Sequence, residues 1–147
     1  MKQMETLEKL LKNELSATET YQQVLDKLRA DVALSEAENL MPIYEDHKAA
    51  VSSLQALTTR FGGTPTEVSG AWGVWAKLML DGANILGNEV VLKALHEGET
   101  IGDKDYKEAL LDTELPPDIR LLIETKLLLA QQAHISTLDR LLVAETD

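Results

Sequence analysis

Residues 40–65 read LMPIYEDHKAAVSSLQALTTRFGGTP. At about 100° per residue, Leu40, Ile43, Val51, Leu54, Leu57 and Phe61 fall on one face of a helix. Gly62-Gly63-Thr64-Pro65 stops it, because glycine accepts the left-handed turn that ends a helix and proline cannot continue one. Ser35 is a candidate N-cap with Glu38 at the capping-box position. Pro42 lies deep for that cap, so a start at Met41, with 35–40 as a separate turn, is the alternative. One residue breaks the apolar face: His47, between Ile43, Val51 and Leu54, with Tyr44 flanking it one turn earlier.

Three further amphipathic stretches share this period, and no strand pattern competes. The first runs from about Glu5 to Ala30 on a stripe of Leu7, Leu11, Leu25 and Leu28. The third runs from about Ala83 to Asp112 with Ile85, Leu92, Leu95, Tyr106 and Leu110, and carries Gly82, Gly87, Gly98 and Gly102, each of which weakens a helix interior by roughly 1 kcal/mol. The fourth starts at Pro116-Pro117-Asp118, as proline suits a first turn, and shows Leu127, Leu128, Ile135, Leu138, Leu141 and Leu142. Short links join the first to the second and the third to the fourth, which predicts two antiparallel hairpins. Between the second and third lie about 20 residues, long enough for a crossover that leaves those two helices parallel. Trp72, Trp75, Leu78 and Leu80 in it read as packing anchors. The predicted architecture is all-α: one domain over 1–147, a four-helix bundle of two antiparallel hairpins joined by one long crossover.

Composition agrees with that class and removes others. The 147 residues carry 14 Lys+Arg against 25 Asp+Glu, a formal charge of −11, with 4% aromatics and no Cys. Disulfides, thiolate metal sites and cysteine nucleophiles are excluded. An acidic surface without a basic block argues against nucleic acid or anionic lipid as partner. Met1-Lys2-Gln3-Met4-Glu5 has no apolar signal core and no later run reaches membrane length, so a cytoplasmic chain is expected. No phosphate loop, dinucleotide fingerprint or nucleophile elbow occurs.

The informative positions are the polar exceptions on core faces. Glu14 lies near the centre of the first stripe, whereas Glu19 projects away. Glu99 continues the line of Leu92 and Leu95, and the next turns bring Tyr106. Gln131 and His134 fall within the fourth stripe, with Glu124 two turns before. His96 lies off the core line, on the surface. Each helix therefore sends an ionisable or amide group inward at matching depth. A buried carboxylate costs several kcal/mol unless it meets a partner, water or a metal.

These residues resemble the ferritin-like superfamily over nearly all of the chain at low identity: they are similar to bacterioferritin and, more nearly, to a smaller ferritin-like family of uncharacterised bacterial proteins. Leu10-Leu11-Lys12-Asn13-Glu14-Leu15, with Ala17 and Tyr21, is similar to the first helix. Glu99 followed by Gly102 and Lys107-Glu108-Ala109-Leu110 is similar to the third, and His134-Ile135 with Leu138 to the fourth. His47 takes the second-helix histidine position. The superfamily's di-iron site uses one Glu from each of two helices and Glu-x-x-His from each of the other two. By that resemblance Glu14, His47, Glu99 and His134 are metal ligands, while the two bridging carboxylates are replaced by Tyr44 and Gln131. The haem-ligating Met of bacterioferritin falls at Glu45, so no haem is implied.

The missing bridges change the electrostatics. Two divalent ions bring four positive charges, and Glu14 with Glu99 supply only two negative ones; adjacent cations in a low-dielectric core repel strongly without bridging anions. A functional ferroxidase is not expected. One divalent ion (iron, manganese or zinc) remains possible with two carboxylates and two imidazoles, Tyr44 and Gln131 being possible second contributors. In the parent arrangement these ligands serve metals about 4 Å apart, so they must lean together. The alternative is a metal-free, structural or stress-related bundle in which Glu14 pairs with His47 and Glu99 with His134, the Tyr44 hydroxyl and Gln131 amide satisfying the remaining lone pairs. Gly98 and Gly102 bracket Glu99, either through a π-bulge or for close helix contact. Glu124 is expected to pair with Arg120 or Lys126, or to extend the polar layer. The resemblance also implies a homo-oligomer, a dimer being favoured.

Overall fold

The computed structural model describes residues 2–69 and 88–146, and all regular structure among them is helical. Helix α1 spans Lys2–Ala30, α2 Leu34–Arg60 and α3 Asn88–Leu110. Helix α4, Pro117–Leu122, runs without a break through a π-helical turn, Ile123–Leu127, into α5, Leu128–Thr146. Trp72, Trp75, Leu78, Leu80 and the first residues of the third stretch lie outside the described residues. No helix among the described residues is long and apolar enough to cross a membrane.

The helices pack as a bundle around two apolar clusters. The later half of α1 (Tyr21, Val24, Leu25, Leu28), the start of α2 (Ala37, Leu40, Ile43), the start of α3 (Val91, Leu92, Leu95) and Leu138 form one cluster. The early part of α1 (Leu7, Leu10, Leu11), the later half of α2 (Ala50, Leu54, Leu57), Tyr106 and the α4 and π-turn residues Ile119, Ile123 and Leu127 form the other. The residues between them in sequence on every rod are polar and buried: Glu14, His47, Glu99, Gln131 and His134. Burial of the leucines supplies the driving force, at about 25 cal/mol per Å² of apolar surface, and the two dry layers enclose a wet-chemistry layer between them.

Helix ends follow local chemistry, with two departures from expectation. Helix α2 ends as the glycines require: Gly62 has φ +85, and the N–H groups of Gly62 and Gly63 bond the carbonyls of Thr59 and Thr58, the paired closure of a left-handed C-terminus. Its start is neither Ser35-capped nor delayed to Met41. The helix begins at Leu34 after Ala33, without a side-chain cap, and passes straight through Pro42. The carbonyl of Glu38, four residues before Pro42, loses its N–H partner, but Glu38 is exposed and water can serve it.

The α1–α2 link uses the same closure with a poorer residue. The N–H groups of Val32 and Ala33 bond the carbonyls of Arg29 and Leu28, and Val32 sits at φ 59. A β-branched residue there pays the left-handed cost of about 1–2 kcal/mol, and Val32 is 74% exposed, so its side chain returns little by packing. Val32→Gly is expected to stabilise the fold by about 0.5–1 kcal/mol after the unfolded-state entropy of glycine is subtracted. A lower urea midpoint for the variant contradicts this.

The π turn accounts for another difference. Buried residues along α4, the turn and α5 are Ile119, Ile123, Leu127, Gln131, His134 and Leu138. A run of spacings of four drifts around a regular α-helix, and a turn holding one extra residue restores the line. It also rotates what precedes it, so Glu124 is exposed rather than inward, and pairs with Arg120 at 3.6 Å. The ion pair with Arg120 is present; the extension of the polar layer is not.

Candidate metal centre

Glu99 is the hub. Its side chain is fully buried, and both carboxylate oxygens face the His47 Nε2, at 3.0 and 2.9 Å. Oxygen Oε1 also lies 2.7 Å from His134 Nδ1. One donor atom from each of His47, Glu99 and His134 falls within 4.8 Å of the others, and all three residues are buried. Imidazole nitrogens and a carboxylate at such separations can close on one cation, since metal–ligand bonds of about 2.0–2.2 Å place ligand atoms a little over 3 Å apart.

Each imidazole turns its second nitrogen to a different carboxylate. His47 Nδ1 is 2.5 Å from Glu14 Oε2, and His134 Nε2 is 2.8 Å from Asp46 Oδ2. Such a carboxylate fixes ring orientation and tautomer. Glu14 is in turn held by the Tyr106 hydroxyl, which donates to its Oε1 at 2.5 Å. The Tyr21 ring stacks on His47, with centroids 5.3 Å apart and planes 27° from parallel. An unbroken chain of polar contacts therefore runs from buried Tyr106 through Glu14, His47, Glu99 and His134 to Asp46, whose side chain is 53% exposed.

Charge follows from these contacts. Burial, the largest effect on His47, opposes its protonation, but the Glu99 and Glu14 carboxylates together outweigh it and hold the imidazolium well above the usual histidine range. Burial likewise opposes ionisation of Glu99, and the charge of His47 with the hydrogen bonds of both imidazoles overcomes it, leaving this carboxyl below its ordinary value. Tyr106 is pushed up by burial and then by Glu14, so it stays a phenol and donates. Tyr21 is raised by burial first and by Glu99 and Glu14 next.

The six candidate residues separate in space. Glu14, His47, Glu99 and His134 come together, but Glu14 touches the group through His47 Nδ1 and stands outside the trio that can share an ion. Gln131 donates from Nε2 to the Glu99 backbone carbonyl at 3.0 Å and approaches Glu99 Oε2 at 3.4 Å. Glutamate at that position has no N–H to give. Gly102 makes this reach possible: a Cβ there runs into the Gln131 side chain. Close helix contact is thus the role of Gly102, and α3 is regular α-helix across it, the π turn lying on the neighbouring rod. Tyr44 corrects the expectation most. It is half-buried, and its hydroxyl donates to Gln22 Oε1 at 2.6 Å rather than to the site. Position 44 lies about 60° around the helix from His47, which aims it at the edge of α1.

Two contributors escaped the sequence reading. Tyr106 was placed on the core face, and its separation of two turns from Glu99 was the available signal for a role. Asp46 gave none, since its usefulness depends on how close α5 stands to α2. His96 is half-buried and pairs with Asp139 at 2.9 Å. Compared with family models, with curated proteins and with solved structures, the chain matches none.

Proposed function

We propose that the chain is a ferritin-like four-helix bundle whose incomplete di-iron centre serves as a mononuclear site for one divalent metal ion. His47, Glu99 and His134 are the proposed ligands, and Glu14 and Asp46 the carboxylates that orient the two imidazoles. The observation that supports it best is the division of labour on each ring: one nitrogen toward Glu99, the other toward a separate carboxylate. Two imidazoles and one carboxylate form a donor set that suits iron(II), manganese(II) or zinc and leaves coordination positions open. Bound there, an ion supplies Lewis acidity or redox chemistry; the chain's own groups hold and orient it and exclude bulk water. The two apolar clusters whose ends share residues of α1 with α2, and of α3 with α4 and α5, support the two antiparallel hairpins. The proposed role is metal or oxidative-stress handling in the cytoplasm by a homodimer or larger oligomer, without ferroxidase turnover.

Anaerobic equilibrium dialysis tests the reading. Uptake of about one iron, manganese or zinc ion per chain is expected, lost in His134→Ala and weakened about 10–100-fold in Asp46→Ala, the range found for outer carboxylates. Uptake that survives both His47→Ala and His134→Ala sinks it. A second reading, a metal-free structural bundle, draws on one observation: the Glu14, His47, Glu99 and His134 contacts satisfy one another as they stand. It requires no bound metal and no thermal shift with any of the three ions.

A further inference from the structure

Three carboxylates surround the two imidazoles of the candidate metal centre. Glu99 lies 2.9 Å from His47 Nε2 and 2.7 Å from His134 Nδ1, the nitrogens assigned to the ion. Glu14 lies 2.5 Å from the other nitrogen of His47, and Asp46 2.8 Å from the other nitrogen of His134. With an ion on the first pair of nitrogens, each ring is neutral and donates its remaining N–H to its own carboxylate. The group then holds three negative charges. A divalent ion leaves one of them unbalanced, whereas a trivalent ion balances all three. Lys126 shares a cavity wall with Glu14, Asp46 and both rings, but it is exposed and water screens its charge.

We propose that the site is built for a metal ion in its trivalent state, iron(III) or manganese(III), which makes it a one-electron redox centre and not a zinc site. The inference rests on the mononuclear reading above. Each carboxylate favours the ion more with every added positive charge, and the gain is largest where water is excluded. Glu14 and Glu99 are 4% and 0% exposed. Outer carboxylates also make the imidazoles stronger donors, which favours the higher oxidation state. Zinc has no redox chemistry and draws nothing from the third charge. The ligands are buried, so the electron leaves without contact between ion and oxidant. The divalent ion gives one electron to an external one-electron acceptor such as ferricyanide, which becomes ferrocyanide; no bond forms or breaks and no proton moves.

Redox titration of the iron-loaded protein, with ferricyanide as oxidant and dithionite as reductant, provides the test. Glu14→Gln and Asp46→Asn each remove one charge and keep an oxygen that accepts from the ring. Glu14→Gln is expected to lower the preference for iron(III) over iron(II) at least about tenfold, which raises the midpoint potential by at least about 59 mV. Asp46→Asn is expected to raise it less, since the Asp46 side chain is 53% exposed and water screens it. At so open a position the variant folds in any case. Tyr106→Phe is expected to lower the midpoint. The Tyr106 hydroxyl donates to Glu14 at 2.5 Å and draws charge away from the His47 side, and its removal returns that charge. Mere loosening of the site moves all three variants in one direction. A midpoint unmoved or lowered in either charge-removing variant, or raised in Tyr106→Phe, overturns the proposal while the metal site stands. So does displacement of oxidised iron by equimolar zinc, or uptake of zinc alone. A chain that takes up no iron, manganese or zinc removes the metal site, and this proposal with it.

Discussion

Glu99→Gln is expected to destabilise the metal-free protein by about 3–5 kcal/mol and to abolish metal uptake. The Glu99 carboxylate accepts from three sides: His47 Nε2, His134 Nδ1 and, more distantly, Gln131 Nε2. Glutamine offers one oxygen and an NH₂ group that must face one of these donors. The His47 imidazolium also loses one of its two buried counter-charges, Glu14 being the other, and removing one partner from a buried ion-pair network costs up to this range. Urea unfolding at neutral pH measures the first effect and calorimetric metal titration the second. Glu14→Gln is the informative control. As an orienting carboxylate, its replacement weakens metal binding about 10–100-fold without abolishing it. Equal loss in the two variants makes Glu14 a ligand and contradicts the division of roles drawn from the contacts.

That division was only half legible in the amino-acid sequence. Helical period alone brought Glu14, His47, Glu99, Gln131 and His134 inward, because a residue on the line of its buried neighbours has nowhere else to go. It could not say which nitrogen of His47 meets which carboxylate, since that depends on ring rotation between three helices. Asp46 lies one residue off the α2 stripe and enters only because His134 reaches across to it. Tyr44 failed for the reverse reason: a nearby polar residue on its own flank, Gln22, took its hydroxyl. Glu124 was misplaced by a single π turn, a feature with no signature in residues 123–127 beyond the spacing of the apolar positions around it. Pro42 shows propensity losing to tertiary packing, as Ala37, Leu40 and Ile43 bury enough apolar surface to keep α2 continuous through it.

Proton and metal compete for His47, and pH is expected to reveal the contest. The folded protein holds His47 above the 6.5 of an unfolded histidine, through Glu99 and Glu14 acting against burial. Its contribution to stability is therefore complete below pH 6.5 and is lost as pH rises through the folded value. Glu99 sits below the ordinary 4.5, through both imidazoles acting against burial, so its contribution is complete above pH 4.5 and is lost as pH falls through the folded value. Metal-free protein is thus expected to be most stable to urea between about pH 4.5 and 6.5, falling on the alkaline side with the slope of one released proton. An ion at the site needs neutral His47. Metal affinity is then expected to rise about tenfold per pH unit up to the folded His47 value, reversing the alkaline loss once the ion is bound. Calorimetry at pH 6.5 in two buffers of different ionisation enthalpy counts the proton expelled, with about one per ion expected. Zero protons released, with metal bound, means that His47 is already neutral, and the imidazolium bridge between Glu14 and Glu99 does not exist in the metal-free protein.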